Sequence, residues 1–217
     1  MRKYDAVCEN NGALRAGRQT IMRKNTSQKA RLPKSRSSQA IILMGVSGSG
    51  KTTIGLALAK ATGGCFLEGD DFHPAANVRK MGAGIPLQDA DRRGWLIRMR
   101  EAIVGKSRVC PVCFVACSAL KKDYRDFLRR AGVDVRFVFL KAPVEVLRRR
   151  LQRREGHFMP ATLLASQLAT LEPPRNAIIA DVTQTPNKVC RDILDQLGLA
   201  REMPEGATRR KKNKTAP

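Results

Sequence analysis

The residues with the clearest chemistry form the segment Gly45-Val46-Ser47-Gly48-Ser49-Gly50-Lys51-Thr52, which fits Gly-x-x-x-x-Gly-Lys-Thr at every fixed position. Glycines let the backbone curl so that successive N–H groups converge on phosphate oxygens, and the following helix presents its positive end to the same anion. Lys51 is predicted to reach the β- and γ-phosphates of ATP, and the Thr52 hydroxyl to bind Mg²⁺. With Thr53, these residues make up the predicted ATP site.

A second polar group, Glu68, Asp70, Asp71 and His73, follows the next apolar segment. Carboxylates at the C-terminal end of a parallel strand lie where ligands bind in open α/β sheets. One of them is predicted to accept the proton of a substrate hydroxyl or to hold Mg²⁺. The alternative is a solvated acidic turn that caps a helix beginning at Pro74.

Strand and helix patterns alternate along the chain from residue 40 onward. The apolar runs predict five strands, over residues 40–44, 65–67, 112–117, 135–140 and 177–182. The segments between and after them predict helices over residues 51–61, 89–104, 121–131, 143–153, 161–171 and 187–197. This order predicts a three-layer α/β fold with a parallel five-stranded sheet, of the P-loop NTPase and nucleoside-monophosphate-kinase type. Because the domain is small and lacks the GTP-binding motif Asn-Lys-x-Asp, a small-molecule kinase is favoured over a GTPase.

The net charge of +22 over 217 residues is concentrated at the two ends. Residues 1–38 hold ten Lys/Arg against two acidic residues, and residues 201–217 hold six against two. We therefore predict a kinase domain over residues 39–200, between a disordered basic extension and a basic tail. A basic nucleic-acid-binding protein is the alternative, but an aromatic content of 5% offers few platforms for base stacking.

The sequence contains six cysteines but no hydrophobic signal-peptide core, so a disulfide framework is not expected. Cys110 and Cys113 have the spacing of a redox or zinc pair. However, residues three apart on a strand point to opposite faces, and buried thiols are predicted instead. No apolar run is long enough to cross a bilayer, so no membrane partner is expected. We expect a cytoplasmic protein, with organelle targeting by the Arg-rich N-terminal segment as the alternative.

Four further blocks resemble the gluconokinase family. They are GDDFHPAANVRKM (69–81), GIPLQDADRRGWL (84–96), CSALKKDYRD (117–126) and GHFM (156–159), the last followed by Gln167 and TLEPP (170–174). The resemblance covers about residues 42–197. It implies transfer of the ATP γ-phosphate to the 6-hydroxyl of D-gluconate, and it suggests a homodimer. A kinase for another small hydroxy acid, such as shikimate, is the nearest alternative.

The resemblance also implies roles for individual residues. Asp70 is the expected catalytic carboxylate, acting with Lys51. The other expected gluconate-binding residues are His73, Asn77, Arg79, Lys80, Ser118, Lys121 and Arg125. Each is polar or cationic, as a pocket for a polyhydroxy carboxylate requires.

Five arginines lie in the segment from Arg148 to Arg154, just before Gly156. Arg150 and Arg154 are four residues apart and share a helix face. Small kinases use such arginines to close over the phosphates and exclude water. We therefore predict that both contact ATP and that a lid lies around residues 153–161. The alternative is a solvated basic helix.

Overall fold

The computed structural model describes residues 38–153 and 163–199. In this part of the chain a five-stranded parallel sheet has the strand order β2-β3-β1-β4-β5. The strands are β1 (Gln39–Met44), β2 (Cys65–Glu68), β3 (Val112–Ala116), β4 (Asp134–Lys141) and β5 (Ile178–Asp181). The predicted three-layer α/β fold is confirmed, and each predicted strand is present to within one or two residues.

Seven helices are described. They are α1 (Lys51–Thr62), α2 (Ala75–Gly82), α3 (Asp89–Ser107), α4 (Lys122–Arg129), α5 (Val144–Gln152), α6 (Leu163–Thr170) and α7 (Pro186–Leu197). Among the described residues, none of these helices is long and apolar enough to cross a membrane. The predicted lid falls almost wholly on residues 154–162, outside the described residues, as do most of both predicted basic ends.

Side chains of β1 alternate between the two faces of the sheet, as a strand with a two-residue repeat requires. Ile41 and Leu43 pack in one cluster with residues of α1 and α7. Ile42 and Met44 pack in the other cluster with residues of α3 and α4. Both faces of β1 are covered, which explains why its sequence is a continuous apolar run.

Local differences from the sequence prediction occur in the turn after β2 and at the ends of helices. Residues 69–72, for which a solvated acidic turn was the alternative interpretation, form a single turn of 3₁₀ helix. The predicted helices at Pro74 and Pro143 each begin one residue later, because both prolines have extended backbone angles and precede the first helical residue. Helix α3 continues three residues past its predicted end at Val104.

The cysteine prediction is partly wrong. Cys113, Cys117 and Cys190 are buried thiols, as expected. Cys65 and Cys110, in contrast, are joined by a disulfide. The two residues are 45 positions apart, at the start of β2 and just before β3, and the parallel pairing of these strands brings them together. No spacing rule in the sequence marks such a pair.

The turn after β2 is held against the sheet by an unusually close backbone contact. A Cβ atom at Gly69 would lie 2.2 Å from the carbonyl oxygen of Ala116, so only glycine fits there. From the other side, the buried indole Nε1 of Trp95 donates a hydrogen bond of 2.7 Å to the Gly69 carbonyl. These two contacts fix the position of the residues that follow, Asp70 and His73.

We expect Gly69→Ala to lower the Tm by roughly 4–10 °C, since backbone must move to admit the methyl group. Gly105→Ala is the matched control: this exposed glycine in α3 has nothing within 4 Å of its added Cβ. Because alanine favours helix, the control should keep or slightly raise the Tm. Thermal unfolding followed by circular dichroism measures both, and an unchanged Tm for Gly69→Ala would show that the turn adapts freely.

Candidate active site

The predicted phosphate-binding loop joins β1 to α1, and its shape depends on glycine. Gly45 has φ 142°, and a Cβ atom there would lie 2.9 Å from the carbonyl oxygen of Leu140. The Lys51 ammonium group donates hydrogen bonds to the carbonyl oxygens of Gly45 (3.1 Å) and Val46 (3.2 Å). The lysine therefore bridges the mouth of the loop, where the phosphates of a nucleotide are expected.

The loop separates two pockets. We call the first the donor pocket, because the predicted ATP-binding residues Gly48, Ser49, Gly50 and Thr53 line it, together with Ile54, Arg150, Val182, Gln184, Pro186 and Val189. We call the second the acceptor pocket. Its polar lining residues are Ser47, Lys51, Asp70, His73, Arg92, Ser118, Ser166, Gln167 and Thr170. The loop thus has one side facing each pocket.

Of the two arginines predicted to contact ATP, Arg150 lies on the wall of the donor pocket. Its Nη2 donates a hydrogen bond of 2.6 Å to the carbonyl oxygen of Val182, in the loop after β5. The guanidinium therefore lies beside the loop that closes this pocket. Arg154 lies outside the described residues.

The predicted metal-binding hydroxyl has a carboxylate partner. Thr52 Oγ1 donates a hydrogen bond of 2.7 Å to Glu68 Oε2, which links the start of α1 to the end of β2. A hydroxyl that donates its proton to a carboxylate keeps its lone pairs for a cation. Burial raises the pKa of Glu68, and the hydrogen bond from Thr52 opposes this shift.

His73 and Asn77 support the wall of the acceptor pocket beside Asp70. The His73 ring stacks on Trp95, with ring centroids 4.5 Å apart. The Asn77 amide nitrogen donates to the Asp91 carbonyl oxygen (2.8 Å) and lies 3.4 Å from His73 Nδ1. An amide NH₂ only donates, so Nδ1 is the acceptor and Nε2 carries the proton. Burial lowers the pKa of His73 to about 4, so the ring is neutral at pH 7 and acts as a hydrogen-bonding group.

The structure does not bring every predicted gluconate-binding residue to the acceptor pocket. Ser118 lines it, whereas Arg79 and Lys80 are exposed on α2 outside its lining. Lys80 is paired with Asp91 at 2.7 Å, and Lys121 is paired with Asp89, also at 2.7 Å. These lysines already have carboxylate partners.

Arg125 is a buried residue that lies outside the lining of the acceptor pocket. It is 4% exposed, and its Nη1 donates to the carbonyl oxygens of Ala119 (3.0 Å) and Leu120 (2.9 Å). Ala119 has φ 42°, a left-handed conformation that a residue with a side chain adopts only when its surroundings hold it there. Arg125 thus stabilises the loop that carries Ser118.

Among the described residues, four polar ones of the acceptor pocket are missing from the set predicted on sequence: Arg92, Ser166, Gln167 and Thr170. Arg92 donates a hydrogen bond of 3.3 Å to the Tyr124 hydroxyl and lies 3.6 Å from Asp89. Gln167 contacts Ser47 of the phosphate-binding loop. All four lie in or next to the blocks that resemble the gluconokinase family, but nothing in their spacing distinguishes them from neighbouring polar residues.

Comparison with known proteins identifies the family. A family model described as an AAA domain matches residues 41–174. The thermosensitive gluconokinase of Escherichia coli (strain K12) is 48% identical over 137 residues, which are 63% of this chain and 73% of that protein. The gluconokinase of Gluconobacter oxydans (strain 621H) is 49% identical over 134 residues, or 62% of this chain and 75% of that protein.

The chain belongs to the gluconokinase family. The crystal structure of a gluconokinase from Sinorhizobium meliloti 1021 agrees with this assignment, with a TM-score of 0.66 and 44% identity over 76% of this chain and 94% of that one. The resemblance deduced from the sequence blocks is therefore confirmed.

The raised pKa of Glu68 predicts a pH-dependent stability. Burial in the folded protein disfavours the ionised form of Glu68. The contribution of Glu68 to the free energy of unfolding is therefore fully present at low pH, where the side chain is protonated, and it is lost as the pH rises through the pKa of the folded state. We expect Glu68→Gln to raise the Tm of the ligand-free protein at pH 7. This difference should shrink as the pH falls towards 4.5.

Glu101→Gln, which removes an exposed carboxylate on α3, controls for the loss of one charge. Differential scanning calorimetry at several pH values makes the measurement. A Glu68→Gln variant less stable than the wild type at pH 7 would contradict the prediction, because the Thr52 hydrogen bond would then outweigh the cost of burial.

Proposed function

We propose that this chain is a gluconokinase, which transfers the γ-phosphate of ATP to the 6-hydroxyl of D-gluconate and gives 6-phospho-D-gluconate and ADP. Such a product feeds the pentose-phosphate pathway. One observation carries the proposal: Lys51 of the phosphate-binding loop and the carboxylate of Asp70 line the same pocket, in a chain that belongs to the gluconokinase family. The donor and acceptor groups of a phosphoryl transfer would meet there.

On the donor side, ATP would lie along the loop with its phosphates against the N–H groups of residues 48–52. Lys51 would move from the carbonyl oxygens of Gly45 and Val46 to the β- and γ-phosphates, which attract an ammonium group more strongly than neutral carbonyls do. Arg150 would lie beside the base or ribose, since it is held by the Val182 carbonyl.

The residues around Thr52 fit Mg²⁺. The hydroxyl of Thr52 and the carboxylates of Glu68 and Asp70 supply hard oxygen atoms, which this ion prefers. Thr52 would bind the ion directly, while Glu68 would hold the hydroxyl in place by accepting its hydrogen bond. When bound, Mg²⁺ would neutralise charge on the β- and γ-phosphates.

On the acceptor side, Asp70 would accept the proton of the 6-hydroxyl as that oxygen attacks the γ-phosphorus. The new bond joins gluconate O6 to phosphorus, and the bond from phosphorus to the bridging oxygen of ADP breaks. The Gly69 contacts with Ala116 and Trp95 would hold Asp70 in place for this step. Neutral His73 would donate a hydrogen bond through Nε2 to a hydroxyl of the substrate.

The gluconate carboxylate needs a cation, and Arg92 has the better position for it. Arg92 lines the acceptor pocket and lies 3.6 Å from Asp89, whose shorter contact is with Lys121. Lys80 and Lys121 each have a carboxylate at 2.7 Å. We therefore assign the carboxylate to Arg92 ahead of Arg79, Lys80, Lys121 or Arg125.

Three further expectations belong to this proposal. The active form would be a homodimer, as the resemblance to the family suggests. The enzyme would work in the cytoplasm, where ATP and sugar acids are available. Its contacts with nucleic acids would be non-specific and would come from the basic ends of the chain.

A coupled assay for ADP formation tests the activity. We expect ATP consumption that depends on both D-gluconate and Mg²⁺, and faster turnover with D-gluconate than with shikimate or other polyhydroxy acids. Absence of D-gluconate-dependent turnover would overturn the proposal. Faster turnover of another acid would identify that acid, rather than D-gluconate, as the substrate.

Asp70→Asn tests the catalytic carboxylate. The amide cannot accept the proton, so kcat should fall by about 10²–10⁴-fold, while ATP binding measured by calorimetry stays near the wild-type value. Asp71→Asn, an exposed neighbour in the same turn, is the matched control and should keep most of the activity. A near-normal kcat for Asp70→Asn would mean that Asp70 is not the base.

Arg92→Met tests the carboxylate contact. Loss of a charged hydrogen bond should raise the KM for D-gluconate by roughly 10–100-fold and leave the KM for ATP nearly unchanged. Arg79→Met, on the exposed face of α2, is the control and should change neither value. If Arg79→Met raises the KM for D-gluconate and Arg92→Met does not, the two assignments must be exchanged.

A further inference from the structure

The side-chain amide of Gln167, on α6, is hydrogen-bonded to two groups of one residue in the phosphate-binding loop. The backbone N–H of Ser47 donates to Gln167 Oε1 at 2.7 Å. Gln167 Nε2 lies 3.1 Å from Ser47 Oγ and donates to it. The two residues are 120 positions apart in sequence, so this paired contact joins distant parts of the chain.

Ser47 occupies a distinctive place in the loop. Gly48, Ser49 and Gly50 line the donor pocket, whereas Ser47 and Lys51 line the acceptor pocket. Ser47 therefore lies on the side of the loop where a phosphoryl group would leave ATP and reach its acceptor. A residue that fixes Ser47 also fixes one boundary of that path.

Helix α6 is anchored at its other end to the loop that follows β3. The backbone N–H of Glu172 donates to the Leu120 carbonyl oxygen at 3.0 Å. In return, the carboxylate of Glu172 accepts from the backbone N–H of Lys122 at 2.5 Å, at the start of α4. Leu164 of α6 also packs in one apolar cluster with Val46 and Leu120.

Through these contacts, α6 connects the phosphate-binding loop to the loop that follows β3. Gln167 holds it to the phosphate-binding loop at Ser47, and Glu172 holds it to the loop that carries Ser118. Between these anchors, Ser166, Gln167 and Thr170 form part of the acceptor-pocket wall. The Gln167–Ser47 contact therefore joins the phosphate-binding loop to the part of the acceptor-pocket wall that α6 forms.

We propose that Gln167 is a positioning residue for phosphoryl transfer: it holds the phosphate-binding loop and the acceptor wall at the separation that lets the substrate hydroxyl, rather than water, meet the γ-phosphate. This inference rests on the proposed kinase function. A misplacement of about 1 Å in such a path can cost about 10²-fold in rate. The effect should therefore appear in kcat and in the selectivity for the acceptor, not in the affinity for ATP.

The neutrality of the amide is part of the same role. Gln167 Oε1 lies within hydrogen-bond distance of the loop next to the γ-phosphate position, so a full negative charge there would oppose ATP. A glutamate in place of Gln167 has the same shape and still accepts a hydrogen bond from the Ser47 N–H. It differs in its negative charge and in the loss of the N–H donor to Ser47 Oγ.

Two variants separate these contributions. Gln167→Met keeps the length of the side chain and loses both hydrogen bonds. We expect kcat to fall by about 10–100-fold. The KM for ATP should stay within about threefold of the wild type, and ATP hydrolysis without D-gluconate should rise relative to transfer. Gln167→Glu should instead raise the KM for ATP and weaken binding of the ATP analogue AMP-PNP by about tenfold or more.

Gln196→Ala, on the exposed surface of α7, is the control and should match the wild type in every measurement. Wild-type values of kcat and of the hydrolysis-to-transfer ratio for Gln167→Met would overturn the inference. So would equal effects of the Met and Glu variants on kcat, KM and Tm, because these would indicate a purely structural role.

Failure of the proposal for Gln167 can be distinguished from failure of the proposed gluconokinase function. If the wild type consumes no ATP with D-gluconate, the proposed function fails. AMP-PNP binding then decides whether Gln167 lies next to the γ-phosphate position. Weaker binding to Gln167→Glu, with wild-type binding to Gln167→Met and Gln196→Ala, supports that placement, and equal binding to all of them rejects it.

Discussion

Parallel pairing of β1, β3 and β2 is the constraint on which the rest of the site depends. Because the three strands run in one direction and lie side by side, their C-terminal ends meet at one edge of the sheet. The phosphate-binding loop follows β1, the turn with Asp70 follows β2, and Ser118 lies just beyond β3. Each group is separated from the others by long stretches of chain, and only the register of the sheet places them together.

Hydrogen bonds between these loops then set the finer geometry. The backbone N–H of Gly45 donates to the Ser118 carbonyl oxygen at 3.3 Å, and Thr52 donates to Glu68 at 2.7 Å. Trp95 fixes the carbonyl of Gly69 from α3. The three loops are thus linked to one another as well as to their own strands, which is what a phosphoryl transfer requires, since its catalysis rests on positioning and charge neutralisation.

The strong positive charge of the chain does not show how many cationic side chains are available to bind a ligand in the site. Several of the cationic residues near the acceptor pocket form ion pairs or bind backbone carbonyls, as Lys80, Lys121 and Arg125 do. Pairing with Asp91 and Asp89 also lowers the pKa of these two carboxyls, which keeps the pairs ionised at neutral pH. A cation that is paired in this way stabilises the pocket wall more directly than it binds a ligand.

The sequence by itself determined the fold class, the phosphate-binding loop and the family. These follow from local patterns: a glycine-rich loop between an apolar run and a helix, strands that alternate with helices, and contiguous blocks of the gluconokinase type. The tertiary structure alone decided which polar side chains face the acceptor pocket. The sequence prediction included Arg79 and left out Arg92, whereas of these two only Arg92 lines the pocket, because α3 packs beside the turn after β2. The Gln167–Ser47 contact and the Cys65–Cys110 disulfide likewise join residues far apart in the chain, and such pairs depend on how the elements pack rather than on any local spacing.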